Sequence, residues 1–168
     1  PPLLALTDPG GIGAGPATPH DGNIYLGLPF RFPRDARITL RMATPTENVG
    51  ELILSLDVDR NYKAHLGTTT VRFGSPTHPG VFFYRSGTII GEDAAFYLKP
   101  GVTSELVLER TDDRLRAFID GKLVLETEDP PALFNTDPGR IALDVKDGTL
   151  EFLDLAVDLR SLSPNLAS

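Results

Sequence analysis

The sequence contains no cysteine and no tryptophan, and no apolar run approaches the roughly 20 residues needed to span a bilayer. Without cysteine the chain can form neither a disulfide scaffold nor a thiolate zinc site. The N-terminal apolar patch Leu3 to Leu6 is too short for a signal peptide and lacks a basic flank. These absences exclude a disulfide-rich miniprotein and favour a chain that does not insert into membranes.

Basic residues are in the minority: 16 Lys and Arg stand against 23 Asp and Glu, and the formal net charge is -7. A field of that sign repels polyphosphates, so nucleic acids and anionic membranes are poor partners. Cations, neutral polar ligands and proteins remain open as partners.

The length of 168 residues fits one domain with a sizeable core. We predict a Pro/Gly-rich arm or linker at 1–21, a single β-sandwich domain at 22–160 and a tail at 161–168. The chain begins at Pro1 without Met, which suggests a processed protein or a domain cut from a longer one. The oligomeric state and the compartment stay open, with an extracytoplasmic location favoured.

The clearest structural signal lies between Ser104 and Asp158, where apolar residues recur at every second position of successive segments. This period of two is typical of half-buried strands. Turn residues separate the segments at Thr111 to Arg114, Asp120-Gly121 and Lys146 to Gly148. The pattern predicts an antiparallel meander joined by three hairpins.

The first part of the chain also consists of short apolar-alternating segments, whereas helical periodicity is almost absent. Pro29 and Pro33 predict that the first of these segments is an edge strand or ends there. One helical turn is predicted at Pro131 to Asn135. The predicted strands are Asn23–Phe30, Arg37–Ala43, Glu51–Arg60, Tyr62–Leu66, Thr69–Phe73, Val81–Tyr84 and Ala95–Leu98. Many short strands separated by turns predict an all-β sandwich or barrel.

The segments Leu106–Arg110, Leu115–Gly121, Gly139–Val145 and Thr149–Val157 together resemble the second half of concanavalin A-like lectin/glucanase domains. Within that group the chain looks like the laminin G-like and 3-keto-disaccharide hydrolase-like branches of bacterial proteins. The resemblance covers roughly 30–159. It implies a jelly roll, a two-sheet antiparallel β-sandwich, and this fold hosts lectins, hydrolases and structural modules.

The sequence departs from the glucanases of this group, which carry a Glu-x-Asp-x-x-Glu arrangement on one strand. The nearest candidates here are Glu151, Asp154 and Asp158, and the offset of three places the first two on opposite faces of a regular strand. We therefore predict no catalytic residue. The absence of Trp also weakens the prediction of a carbohydrate ligand, because Trp is the largest flat ring on which a sugar can pack. Tyrosines could supply such a ring instead.

The best candidate site begins on the predicted strand Glu51–Arg60, where Ser55, Asp57 and Asp59 share the face opposite the leucines. Two neighbouring carboxylates could accept sugar hydroxyls or contribute oxygens to Ca²⁺, the one cofactor considered. The alternative is an ordinary solvated strand face. The predicted ligand-binding residues are Asp57, Asp59, Arg60, Tyr62, His65, Tyr84 and Arg85.

Other constellations are weaker. His20, His65 and His78 are far apart in sequence, and their spacing argues against a histidine metal site. Thr68 to Thr70 and Ser75 lack a plausible neighbouring base, so nucleophilic catalysis is unsupported.

Three functions follow from the sequence. The favoured one is a non-catalytic module of a larger bacterial protein that recognises a glycan or a protein partner through a groove or loop rim. The second is a hydrolase of the 3-keto-disaccharide hydrolase-like branch that uses Asp57, Asp59 and His65. The third is an assembly protein whose N-terminal arm, carrying Leu3, Leu4 and Leu6, reaches a neighbouring copy.

Overall fold

The computed structural model describes residues 4–8, 23–31, 35–56, 69–85, 87–111, 114–128 and 138–158. Within these residues there is no helix, and hence none that is long and apolar enough to cross a membrane. The strands are β1 Leu4–Asp8, β2 Asn23–Arg31, β3 Ala36–Ala43, β4 Glu51–Leu56, β5 Thr69–Ser75, β6 His78–Arg85, β7 Thr88–Asp93, β8 Thr103–Thr111, β9 Arg114–Ile119, β10 Lys122–Glu128, β11 Pro138–Lys146 and β12 Gly148–Asp158.

These strands form two antiparallel sheets of six strands each. The first sheet has the order β1-β12-β3-β8-β9-β10, and the second has the order β2-β11-β4-β5-β6-β7. Every pairing between neighbouring strands is antiparallel. The structure confirms the predicted all-β, two-sheet sandwich.

The core lies between the sheets and is built from alternate residues of the strands. In β3, for example, Ile38, Leu40 and Met42 are fully buried, whereas Thr39 is half-buried and Arg41 is exposed. Apolar residues from both sheets complete this layer: Leu52, Leu54, Val71, Phe73, Val81, Phe83, Leu106, Leu108, Leu115, Ala117, Ile141, Leu143, Leu150 and Phe152. Burying one face of each sheet is what stabilises a sandwich, and the period of two in the sequence supplies that face.

Two of the three predicted hairpins are confirmed. Strands β8, β9 and β10 pair in succession, and the Asp120-Gly121 turn has the positive φ angles, 49° and 81°, that a two-residue turn with matching twist needs. The third was wrong, because β11 lies in the second sheet and β12 in the first. Turn residues make the chain reverse, but they do not determine which sheet the next strand joins.

The chain changes sheets at Asp147 and Gly148. Asp147 takes the left-handed conformation, with φ 56°. A Cβ at Gly148 would collide with the backbone of Asn48 and Gly50, because the carbonyl of Asn48 accepts a hydrogen bond from the amide of Thr149 at 2.8 Å. Glycine is therefore required at Gly148 by the close approach of two chain segments.

The strand predictions for 81–98 were partly wrong. Strand β7 was missed, because Ile89 and Ile90 are adjacent and show no alternation. The predicted strand Ala95–Leu98 is irregular, although the amide of Leu98 donates to the carbonyl of Gly74 at 2.8 Å. This segment instead crosses the end of the sandwich and contacts the second sheet.

The two N-terminal strands lie at sheet edges. Of the two predicted alternatives for the proline-containing strand β2, an edge position or an end at the prolines, the edge position is confirmed. Strand β1 lies inside the predicted arm and pairs with β12 from Leu4 to Asp8, a stretch without proline or glycine. The predicted strand Tyr62–Leu66 and the turn Pro131–Asn135 lie outside the described residues, and the predicted domain limits stay a prediction.

Candidate functional site

The outer face of the second sheet carries a group of half-buried aromatic and polar side chains. Their neighbours along β4, β5 and β6 are buried in the core, so the alternation of the strands turns these residues outward. The register places them in two rows across the sheet, Ile53–Arg72–Phe82 and Ser55–Thr70–Tyr84. We call these six residues the aromatic–arginine face.

Arg72 is at the centre of this face and forms an ion pair with Glu51. The Glu51 side chain is 1% exposed, whereas the Arg72 side chain is 30% exposed. Burial by itself would lower the pKa of Arg72, but hydrogen bonding and charge from Glu51, together with smaller contributions from Tyr84, outweigh it and raise that pKa. Arg72 is therefore a permanently charged donor whose position is held by a buried carboxylate.

Two rings lie beside the guanidinium. The ring centroids of Phe82 and Tyr84 are 6.3 Å apart, with an angle of 43° between the rings. The Phe82 ring lies over Gly80, where any Cβ would overlap it. On the adjoining strands the hydroxyls of Ser55 and Thr70 are hydrogen-bonded at 2.9 Å.

This arrangement combines ring surface with hydrogen-bonding groups of both kinds. The rings can pack against an apolar patch of a ligand, Arg72 can donate, and the hydroxyls of Ser55 and Thr70 can donate or accept. Such a combination suits a ligand that has hydroxyl groups and one apolar side.

The outer face of the first sheet is different, because five of its charged residues form a continuous series of ion pairs. Glu109 contacts Arg37 at 2.9 Å and Arg116 at 3.7 Å, and Glu126 contacts Arg116 at 2.5 Å and Arg114 at 3.3 Å. These ion pairs run across neighbouring strands of the sheet. The comparison favours the second sheet as the binding face.

Most of the predicted site lies outside the described residues, namely Asp57, Asp59, Arg60, Tyr62 and His65. Ser55 faces outward from β4, as predicted for that side of the strand. Tyr84 belongs to the aromatic–arginine face, whereas Arg85 is 3% exposed and turns toward the core on the opposite side of β6. The two residues therefore do not share a face, and the ligand-binding role of the predicted set stays a prediction.

Sequence reasoning did not include Arg72, Phe82 and Glu51 in the site. Arg72 lies between Val71 and Phe73 in an alternating strand, so its outward direction was readable from the sequence. The partner of Arg72 could not be predicted from the sequence, because Glu51 and Arg72 meet only through the pairing of β4 with β5.

Three side chains that could ligate a metal meet at one end of the second sheet. One ligand atom each from Glu51, His78 and Asp147 lies within 4.8 Å of the others. The Nδ1 of His78 is 3.2 Å from the hydroxyl of Thr77, which leaves its Nε2 for a cation. Glu51 would have to share its carboxylate between Arg72 and the ion. The predicted Ca²⁺ at Asp57 and Asp59 stays a prediction.

No family model matches the chain, and no curated protein matches it either. Several solved structures do match it in fold. The chain has the concanavalin A-like lectin/glucanase fold. Carbohydrate-binding module CBM66 from Bacillus subtilis superposes with a TM-score of 0.61 at 18% identity, over 82% of this chain and 83% of that one.

Two further concanavalin A-like structures show how broad this group is. Galectin LEC-6 from Caenorhabditis elegans gives a TM-score of 0.56 at 10% identity, over 92% of this chain and 95% of that one. A Bacillus licheniformis β-glucanase gives a TM-score of 0.53 at 11% identity, over 80% of this chain and 76% of that one. Identities this low establish the shared jelly roll, and binding proteins and an enzyme are both among its neighbours.

Proposed function

We propose that this concanavalin A-like domain is a glycan-binding module whose ligand lies on the aromatic–arginine face. The observation that carries the proposal is the guanidinium of Arg72, held by buried Glu51 beside the rings of Phe82 and Tyr84. The likeness to a carbohydrate-binding module and a galectin supports it. Membership of a larger bacterial protein is part of the same proposal.

In this proposal each group has a separate role. The Tyr84 and Phe82 rings pack against the C–H side of a sugar ring, in place of the missing tryptophan. Arg72 donates to a ring hydroxyl, and Ser55 and Thr70 complete the hydrogen bonding. Because Glu51 already fixes the guanidinium, binding does not have to immobilise a free arginine side chain, which lowers its entropic cost.

The proposal includes the absence of catalysis. Glu51, the carboxylate that contacts this face, is almost fully buried and bonded to Arg72, so it serves as a positioning partner and not as an acid or nucleophile. Turnover of keto-glycosides by the purified chain, with or without divalent metal, would contradict this part and favour the hydrolase.

The test is isothermal titration against a panel of neutral oligosaccharides. We expect binding that Tyr84→Ala weakens by about tenfold or more, equivalent to about 1.4 kcal/mol. Tyr84→Phe, which keeps the ring, should retain most of the affinity. Arg72→Lys should weaken binding, because lysine cannot reproduce the planar donor geometry.

The control is Thr39→Ala, which removes a half-buried hydroxyl from the outer face of the first sheet. It should bind like the unmodified chain. Equal affinities for the Tyr84→Ala and Thr39→Ala variants, with urea unfolding unchanged in both, would remove the aromatic–arginine face as the site. A chain that binds none of the panel but captures a protein ligand would favour the protein-recognition alternative.

A further inference from the structure

A pocket of about 610 Å³ opens at the end of the sandwich, away from the aromatic–arginine face. One wall is the irregular segment between β7 and β8, and the other is the β9–β10 hairpin together with the start of β8. Its volume is within the range of small-molecule sites, which span about 300–1,000 Å³.

Both walls are held in place by hydrogen bonds. The hydroxyl of Thr44 donates to the carbonyl of Lys99 at 2.6 Å, and the amide of Gly101 donates to the carbonyl of Pro45 at 2.9 Å. On the other side the amide of Asp120 donates to the carbonyl of Glu105, and its carboxylate accepts from the amide of Glu105, both at 2.8 Å. The pocket is therefore formed before a ligand arrives.

The lining is apolar and aromatic at its base and at its mouth. Leu98 is buried, and Phe96, Ile119 and Val124 pack against the core. Tyr97 and Val102, two of the five large hydrophobic side chains exposed in the described structure, also line the pocket. A concentration of exposed apolar surface around a formed cavity is typical of a binding site.

Two lysines complete the lining, Lys99 and Lys122, and both are exposed. No ion pair involves either of them in the part of the chain that the structure describes. Asp120, the acidic residue of the lining, has its carboxylate hydrogen-bonded to the amide of Glu105 on β8. The pocket thus offers positive charge in a protein whose net charge is -7.

We propose that this pocket binds a singly charged, carboxylated sugar ring of the uronic acid class. The apolar lining and the Tyr97 ring take the C–H side of the sugar, and Lys99 and Lys122 take the carboxylate. A polyanion is disfavoured, because the field of the whole protein repels it. A neutral sugar would leave both ammonium groups without a partner. The site does not depend on the aromatic–arginine face.

The experiment is a titration of the ¹⁵N-labelled chain with D-glucuronate, followed by two-dimensional NMR, with D-glucose and acetate as matched probes. Glucuronate should shift the amides of 95–104 and 119–124, with an affinity about tenfold or more above that for either control probe. Raising the ionic strength from about 0.02 M to about 0.3 M should weaken glucuronate binding.

The double substitution Lys99→Gln and Lys122→Gln should reduce the affinity by about tenfold. Lys146→Gln, which removes another exposed lysine, should leave it unchanged. Tyr97→Ala should weaken binding without removing the salt dependence. Glucose or acetate binding as tightly as glucuronate, or equal affinity in the double variant, would overturn the proposal.

Binding at the aromatic–arginine face and binding in the end pocket can be tested independently. Tyr84→Ala should leave the glucuronate response intact, and the lysine substitutions should leave neutral glycan binding intact. Loss of glucuronate binding in Tyr84→Ala would mean that the acidic sugar lies on the aromatic–arginine face, which also overturns the pocket assignment.

Discussion

Gly121 occupies the left-handed region, with φ 81°, at the tip of the β9–β10 hairpin. A Cβ built there meets no atom within 4 Å. Any penalty for a larger residue therefore comes from the backbone conformation and not from a collision, which makes this turn a clean test of conformational preference.

Gly121→Val should lower the free energy of unfolding by about 1–3 kcal/mol, because a β-branched residue is strained at positive φ. Gly121→Asn should lower it less, since asparagine tolerates this region. Urea unfolding of the three chains measures both differences. Equal midpoints for valine and asparagine would contradict the left-handed turn.

Strand β11 is bonded on both sides, to β2 and β4, and it brings Leu143 opposite Leu54 on β4. Leu143 is 3% exposed. A side chain in such a position is surrounded by core atoms that can move little when it is shortened.

Leu143→Ala should reduce stability by about 2–5 kcal/mol through lost burial and the cavity left behind. The matched control is Leu123→Ala on β10, where the leucine is 45% exposed, and it should change stability by less than about 0.5 kcal/mol. Urea unfolding of the two variants and of the unmodified chain measures both changes in stability. Similar small effects for both would mean that β11 does not turn Leu143 into the core.

Among the elements, those with strict alternation were predictable from sequence, as Ile38, Leu40 and Met42 in β3 show. Strand β7 was not, because its two isoleucines are adjacent and give no period of two, even though it pairs with β6 directly before it in the chain. The change of sheet after β11 was also hidden, since the turn Lys146 to Gly148 has the composition of a hairpin.

The two sheets also meet at one pair of edges, where the hydroxyl of Thr127 on β10 donates to the carbonyl of Ile90 on β7 at 2.7 Å. Gly91 lies so close that a Cβ there would be 3.1 Å from the Cβ of Thr127. Bringing the edge strands together in this way leaves less of each edge open to another chain.

Thr127→Val keeps the shape of the side chain and removes this hydrogen bond, so it should lower stability by about 1 kcal/mol. Hydrogen exchange should quicken in β7 and β10 more than in β4. Thr103→Val, at an exposed position on β8, is the control. Exchange that rises equally in all strands would show that Thr127 does not join the two edges specifically.

At the scale of the molecule, the sandwich was predictable from the sequence and the sites were only partly so. The outward direction of Tyr84 and Arg72 follows from alternation. The buried partner Glu51 and the approach of His78 to Asp147 depend on which strands become neighbours, and no local pattern encodes that. The end pocket depends on the path of 94–102 across the sandwich, which is also non-local.

The order of strands has a consequence for biosynthesis. Strand β12 lies between β1 and β3, and β11 lies between β2 and β4, so strands from 138–158 separate strands from 4–56 in both sheets. Until the segment 138–158 has left the exit tunnel, β1 and β2 have no partner and one side of β3 and of β4 stays open. Completion of both sheets therefore requires that β11 and β12 have been translated, and shorter nascent chains expose unpaired strand edges that favour aggregation.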